Sequence, residues 1–137
     1  MAFIRFLVLI FISSVVQLHA QVKTIKVAKE TAQPVIITLA GESSGECKLS
    51  DILRDKKVRL INNADSLRIE RFDVTFNSGG SIYSMTCKGD SLSNFALEEL
   101  AKVNLTTKPK LYIEEIKVID KLGNRKNIGA IKIILVK

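Results

Sequence analysis

Apolar positions recur every second residue in a series of short runs, and turn-forming residues separate those runs. Residues 22–27 and 34–39 are β-branched runs that predict strands. Pro34 suits a strand start, where a missing N–H does little harm. Gly41-Glu-Ser-Ser-Gly45 predicts a turn, and residues 48–54 predict a short helix with Ser50 as its cap. Residues 58–61 predict a strand ended by Asn62-Asn63. Residues 67–76 alternate as well, but their phase changes partway: Leu67 and Ile69 share one face, whereas Phe72, Val74 and Phe76 share the other. Period two tolerates this only through an extra residue, so a bulge is expected near Glu70-Arg71, or else a strand that switches sheets.

Gly79-Gly80 predicts a turn into a return strand over residues 81–88. Residues 93–103 have helical character, with Ser93 as a cap and Phe95, Leu97, Leu100, Ala101 and Val103 apolar. Residues 110–120 and 127–136 predict a hairpin, with Gly123-Asn124 in its connection. Here too the phase slips. Leu111 and Ile113 face one way and Ile116 and Val118 the other, which places a second bulge near Glu114-Glu115. Strands at this spacing with two short helices predict a mainly β, sandwich-like domain. Its core is expected from Val35, Ile37 and Leu39, from Phe72, Val74 and Phe76, from Leu111, Ile113, Ile116 and Val118, and from Ile131, Ile133 and Leu135.

One stretch breaks the pattern. Residues 6–16 are almost wholly apolar, follow a start whose only charge is Arg5, and lead to Ala20, as in a secretory signal peptide. As a helix those residues would span only ~16 Å, short of a ~30 Å hydrocarbon core, so an uncleaved anchor is disfavoured. The expectation is a signal peptide over residues 1–20 and a single exported domain over 21–137, periplasmic, outer-membrane associated or secreted. No second apolar run is long enough to span a bilayer after processing. At 137 residues there is room for one domain.

Candidate chemistry is sparse. The chain has one histidine, His19, which processing would remove, so a catalytic triad, a Cys–His pair and a zinc site lack their usual groups. Cys47 and Cys87 in an exported chain read either as one disulfide or as two separate buried thiols. A bridge would close a loop of about 40 residues and stabilise by ~4 kcal/mol in the chain-entropy picture. Glu114-Glu115 and Glu98-Glu99 are the paired carboxylates. Both pairs fit polar surface better than the convergent geometry of a hydrolase. Gly79-Gly80 lacks the Lys-Ser/Thr and the following helix of a phosphate loop. No catalytic, cofactor-binding or metal-binding residue is expected.

The formal charge is +7, with 21 Lys+Arg against 14 Asp+Glu, and +6 without Arg5 of the leader. Lys23, Lys26 and Lys29 are evenly spaced, and Arg54, Lys56, Lys57 and Arg59 cluster. Such clusters usually serve solubility, but the second is also a candidate surface for an anionic lipid or glycan. Nucleic acid is not an expected partner, because neither interleaved aromatics nor a recognition helix accompanies the charge.

Several segments, taken in order, resemble the C-terminal domain of the GldM (PorM) family, the periplasmic component of type IX secretion and gliding motility in Bacteroidetes. They are Arg71-Phe-Asp-Val-Thr-Phe76, Gly79-Gly80, Lys88-Gly-Asp-Ser91 and the short helix over 94–103. Lys110-Leu-Tyr-Ile-Glu-Glu-Ile-Lys117, Asp120-Lys-Leu-Gly-Asn-Arg125 and Ile128-Gly-Ala-Ile-Lys-Ile133 complete the series. The resemblance covers about 100 residues and implies an immunoglobulin-like β-sandwich used for protein–protein contact. Family members carry a membrane helix and several stacked periplasmic domains. Here one terminal-domain equivalent stands behind a leader, so the membrane-bound motor role does not transfer. The expected function is that of a non-enzymatic envelope interaction or assembly module with envelope-protein partners. The alternative is a module that binds an anionic lipid or glycan.

Overall fold

The computed structural model describes residues 33–137. The expected signal peptide, the strand over 22–27 and the lysines at 23, 26 and 29 lie outside the described residues. The domain is mainly β. Eight strands follow in chain order: β1 (Ile36–Leu39), β2 (Gly45–Lys48), β3 (Val58–Ile61), β4 (Arg68–Ser78), β5 (Ser81–Lys88), β6 (Lys110–Ile119), β7 (Arg125–Ile128) and β8 (Ile131–Val136). Helix α1 (Leu49–Arg54) precedes β3, and α2 (Asn94–Leu100) links β5 to β6.

Six strands form one sheet in the order β2-β8-β6-β4-β5, with β7 paired to the remaining stretch of β6. Only β2–β8 is parallel; the other pairings are antiparallel. Strands β1 and β3 make a separate two-stranded ribbon. The ribbon lies against the larger sheet at Gly129, where a Cβ would stand 3.3 Å from the Ile37 side chain. A glycine there gives the ribbon its close approach.

Both expected bulges are present, and they face each other. Ile69 pairs with Val118, Arg71 with Lys117 and Asp73 with Glu114, so β4 carries one extra residue between Ile69 and Arg71, and β6 one between Glu114 and Lys117. The two insertions cancel, and the register beyond them matches the register before them. Glu115 takes φ +47°, the left-handed conformation that admits the extra residue on β6. Strand β6 keeps a single register with both its hairpin partners, β8 along its first half and β7 along its second. The connection between β6 and β7 closes on Asp120, which accepts from the Leu122 and Asn124 N–H groups. Gly123, at φ +87°, turns the chain there.

This phase change puts one continuous apolar face on the sheet. Phe72, Val74 and Phe76 are buried beside Ile113 and Leu111, which in turn lie beside Ile131 and Ile133. Of the expected core only Val35 is incompletely buried. The rest of the core comes from outside that set. Leu49 and Ile52 of α1, Ala96 and Leu100 of α2, and Val58, Leu67 and Leu92 all pack into it.

Two helix details differ from expectation. The N-cap of α1 is Lys48, which makes no side-chain cap, and Ser50 lies inside the first turn. On α2, Ser93 does cap, accepting from the Ala96 N–H at 3.2 Å. The helix turns Ala96 inward and leaves Phe95 57% exposed, although Phe95 was the larger apolar candidate.

Candidate functional site

The expected disulfide does not form. Cys47 and Cys87 are both buried and both free. Cys47 lies on β2 and Cys87 on β5, the two outermost strands of the same sheet. Four strand spacings separate them, on the order of 15–20 Å at ~4.8 Å per strand, against the ~7 Å limit for a bridge. Cys87 Sγ instead accepts from the Ser93 N–H at 3.4 Å, at the start of α2. Burial pushes the Cys47 thiol up, and the carboxylates of Asp51 and Glu42 add to that, so it is a poor nucleophile. Unfolded protein is therefore expected to titrate two thiols per chain, and folded protein almost none over the same period. Unfolded, unreduced protein with no thiol would overturn the assignment.

The basic cluster is largely neutralised. Arg54 pairs with Asp51 at 2.8 Å, Lys57 with Asp90 at 3.8 Å and Arg59 with Asp55 at 2.6 Å. Lys56 alone of the four has no ion partner among the described residues. Four cations and three carboxylates leave one net positive charge, too little for a strong anion surface.

The paired carboxylates do not converge on a cleft either. Glu114 and Glu115 are both exposed, because the bulge turns Glu115 outward toward Asn127, whose amide donates to it at 3.2 Å. Glu99 pairs with Lys102 at 2.6 Å. Among the described residues no group of three or more Cys, Asp or Glu is placed to hold a metal.

Three carboxylates do carry shifted acidities. Hydrogen bonds from the Arg59 guanidinium hold Asp55 below the usual carboxylate range. Arg125, forked onto Glu70 at 2.9–3.1 Å, does the same there. Asn124 and turn N–H groups lower Asp120. Groups whose folded pKa is depressed stabilise above the unfolded value, near ~4, and lose that contribution as pH falls through the folded value. The urea midpoint is therefore expected to fall between pH 6 and pH 3. An unchanged midpoint would contradict these pairings.

A further concavity lies elsewhere among the described residues, and the sequence patterns do not single it out. It is a cleft of about 570 Å³ between the tip of the β4–β5 hairpin and the loop that enters β6. The hairpin wall turns on Gly79 and Gly80, both at positive φ, and carries Ile82, which is 75% exposed. The opposite wall is a 3-10 turn, Leu105–Thr107, capped by Asn104. Asn104 Oδ1 accepts from the Thr106 N–H at 3.0 Å and hydroxyl at 2.7 Å. Lys108 follows in the left-handed conformation at φ +47°. Its ammonium pairs with Glu46 of β2 at 2.9 Å, and the Pro109 carbonyl accepts from the Leu135 N–H at 2.9 Å. The loop is thereby pinned to two strands.

Thr75 and Tyr112, neighbours across β4 and β6, also line the cleft. Phe76 lines it from the core side and is stacked on Tyr83 with centroids 5.6 Å apart. The lining includes Lys108 and Lys110 and no carboxylate, thiol or imidazole. The cleft thus has apolar walls and a cationic rim. The signal available in sequence was Asn104-Leu-Thr-Thr-Lys-Pro109, a capped turn stopped by proline.

The described residues form a mainly β domain that carries this cleft. No family model matches the chain, and no curated protein matches it.

Proposed function

We propose that the chain is a non-enzymatic, exported protein-interaction or assembly module of the Bacteroidetes cell envelope, linked to type IX secretion or gliding machinery. The observation that carries this reading is the placement of the segments that resemble GldM. They fall on β4, β6, β7 and β8, which are hydrogen-bonded neighbours in one sheet, and on the β4–β5 turn and α2 between them. Their placement in one sheet and its connections supports the reading.

The finer fold reading belongs to the same proposal. The run β8-β6-β4-β5 follows the G-F-C-C′ order of a variable-type immunoglobulin sheet, and β1–β3 stands for the A–B pair of the opposite sheet. In this reading α2 takes the place of strand E. Domains of this architecture commonly serve contact between proteins, although fold alone does not assign a role.

Two measurements test the proposal. N-terminal sequencing of the cell-derived protein should begin at Gln21. Cross-linking in intact cells should then join the chain to defined envelope proteins; cross-links to cytoplasmic proteins alone would overturn the reading. The alternative, an anionic lipid or glycan held by Arg54, Lys56, Lys57 and Arg59, is weakened by the three ion pairs in that cluster.

A further inference from the structure

We propose that the outward face of the sheet, at its bulged end, binds a compact anion carrying two or more phosphate groups through Arg68, Arg71, Lys88 and Lys117. This face shares no residue with the cleft or with the cluster around Arg54. It also stands independently of the envelope-module reading.

The first observation is a row of like charges. Arg71 of β4 pairs in register with Lys88 of β5 on one side and with Lys117 of β6 on the other. Their chain neighbours Phe72, Cys87, Ile116 and Val118 are buried in the core, so the three cations point to the opposite face. The β4 bulge produces this arrangement. Without its extra residue, Arg71 would share the inward face of Ile69. Like charges directly opposite one another destabilise a sheet, so the row costs stability. It spans two strand spacings, on the order of 10 Å. Arg68, exposed further along β4, extends the group.

The second observation is that the chain leaves these charges unanswered. Arg54, Lys57, Arg59, Lys102, Lys108, Arg125 and Lys126 each have a carboxylate partner. Arg68, Arg71, Lys88 and Lys117 have none among the described residues. Glu70 lies beside them: after Arg125, the charges of Arg68 and Lys117 help to hold its carboxyl below the usual range. Arg125, however, engages both oxygens of that carboxylate. Asp73 and Glu114 form the next row on this face. Asp73 instead accepts from the Thr86 hydroxyl at 2.6 Å, and neither carboxylate makes an ion pair among the described residues.

The chemistry of the ligand follows from the density of charge. A carboxylate brings one negative charge, whereas a phosphate monoester brings about 1.5 to 2 near neutral pH, with three acceptor oxygens. The guanidinium forks of Arg68 and Arg71 match phosphate oxygens in pairs, and the lysines act as point charges beside them. Linked phosphates therefore answer four cations within so small a patch, where single carboxylates would not.

The test titrates the purified full chain with inorganic tripolyphosphate and follows it by NMR. Tripolyphosphate is expected to bind, to shift the amide resonances of Arg71, Lys88 and Lys117, and to lose affinity as salt rises. Orthophosphate should bind about tenfold more weakly, because it reaches fewer of the cations. Arg71→Gln should weaken tripolyphosphate about tenfold, whereas Lys56→Gln, in the other basic cluster, should leave it unchanged. Thermal melts separate binding from a structural role. Without ligand, Arg71→Gln should melt higher than wild type, since the row loses one like charge. Tripolyphosphate should then raise the wild-type midpoint and leave that of the variant nearly unmoved. The site is overturned by absent binding, by an equal loss in Lys56→Gln, or by a ligand-free Arg71→Gln that melts lower. Tighter binding of polygalacturonate, a carboxylate polymer, overturns the phosphate assignment. So does binding to phosphatidylglycerol vesicles that tripolyphosphate does not displace, which would make the face a membrane contact.

Discussion

Replacing Phe72 by alanine is expected to lower the unfolding free energy by ~3–5 kcal/mol, the range for deleting a fully buried ring from a packed core. Phe72 is inaccessible to solvent at the centre of the β5-β4-β6 triplet, with Cys87 beside it on β5. The loss should therefore lie within that range. Phe76→Ala should behave alike, with the added loss of its stacking on Tyr83. Phe95→Ala provides the internal control. Its ring is 57% exposed on α2, and surface substitutions of this kind usually stay within about 0.5 kcal/mol. Urea unfolding of the three variants measures all of this. A loss below ~1 kcal/mol at both Phe72 and Phe76 would contradict their placement.

Deleting Glu115 is expected to leave the chain largely unfolded. The residue is exposed, yet it is the inserted position that lets Ile116 and Val118 face the same core as Leu111 and Ile113. Without it the second half of β6 turns over, and two fully buried side chains move to solvent. At ~1.5–3 kcal/mol each, the loss approaches the ~5–15 kcal/mol that holds a whole domain together. Glu115→Gly should do the opposite. It keeps the residue count and relieves an L-residue at φ +47°, worth up to ~1–2 kcal/mol of conformational strain. Thermal melts of the two variants should therefore move in opposite directions. A folded deletion variant with native stability would mean that the sheet absorbs the missing residue by another register.

The bulges were legible because a period of two has no tolerance. One extra residue reverses every later side chain, so the switch from Ile69 to Phe72, and from Ile113 to Ile116, is visible in the letters alone. Strand β2 was not legible. Gly45-Glu-Cys-Lys48 has no alternation, and its partner, β8, lies nearly ninety residues further along the chain, so nothing local marks the pairing. The cysteines misled for a related reason. An even number in a chain expected to be exported speaks about redox chemistry, whereas bridging depends on distance, and the sheet order sets that distance. Phe95 and Ala96 show a third limit. On a seven-residue helix the buried stripe is set by the approach of the sheet, and the closer approach selected the smaller side chain. The cleft escaped notice because its two walls come from separate loops that meet only in the folded chain.

The position of β8 also sets the order in which the molecule can be assembled. It lies between β2 and β6, inside the sheet, although residues 131–136 come later in the chain than every other described strand. Until those residues have been synthesised, β2 has no partner, and the first half of β6 has one open side. A growing chain can therefore form the β4–β5 hairpin and α2 early, but it cannot close the sheet. Contacts so distant in sequence form slowly, since the connecting chain must first be ordered. Such a chain keeps its sheet open through most of its synthesis and closes it only when the last strand is available.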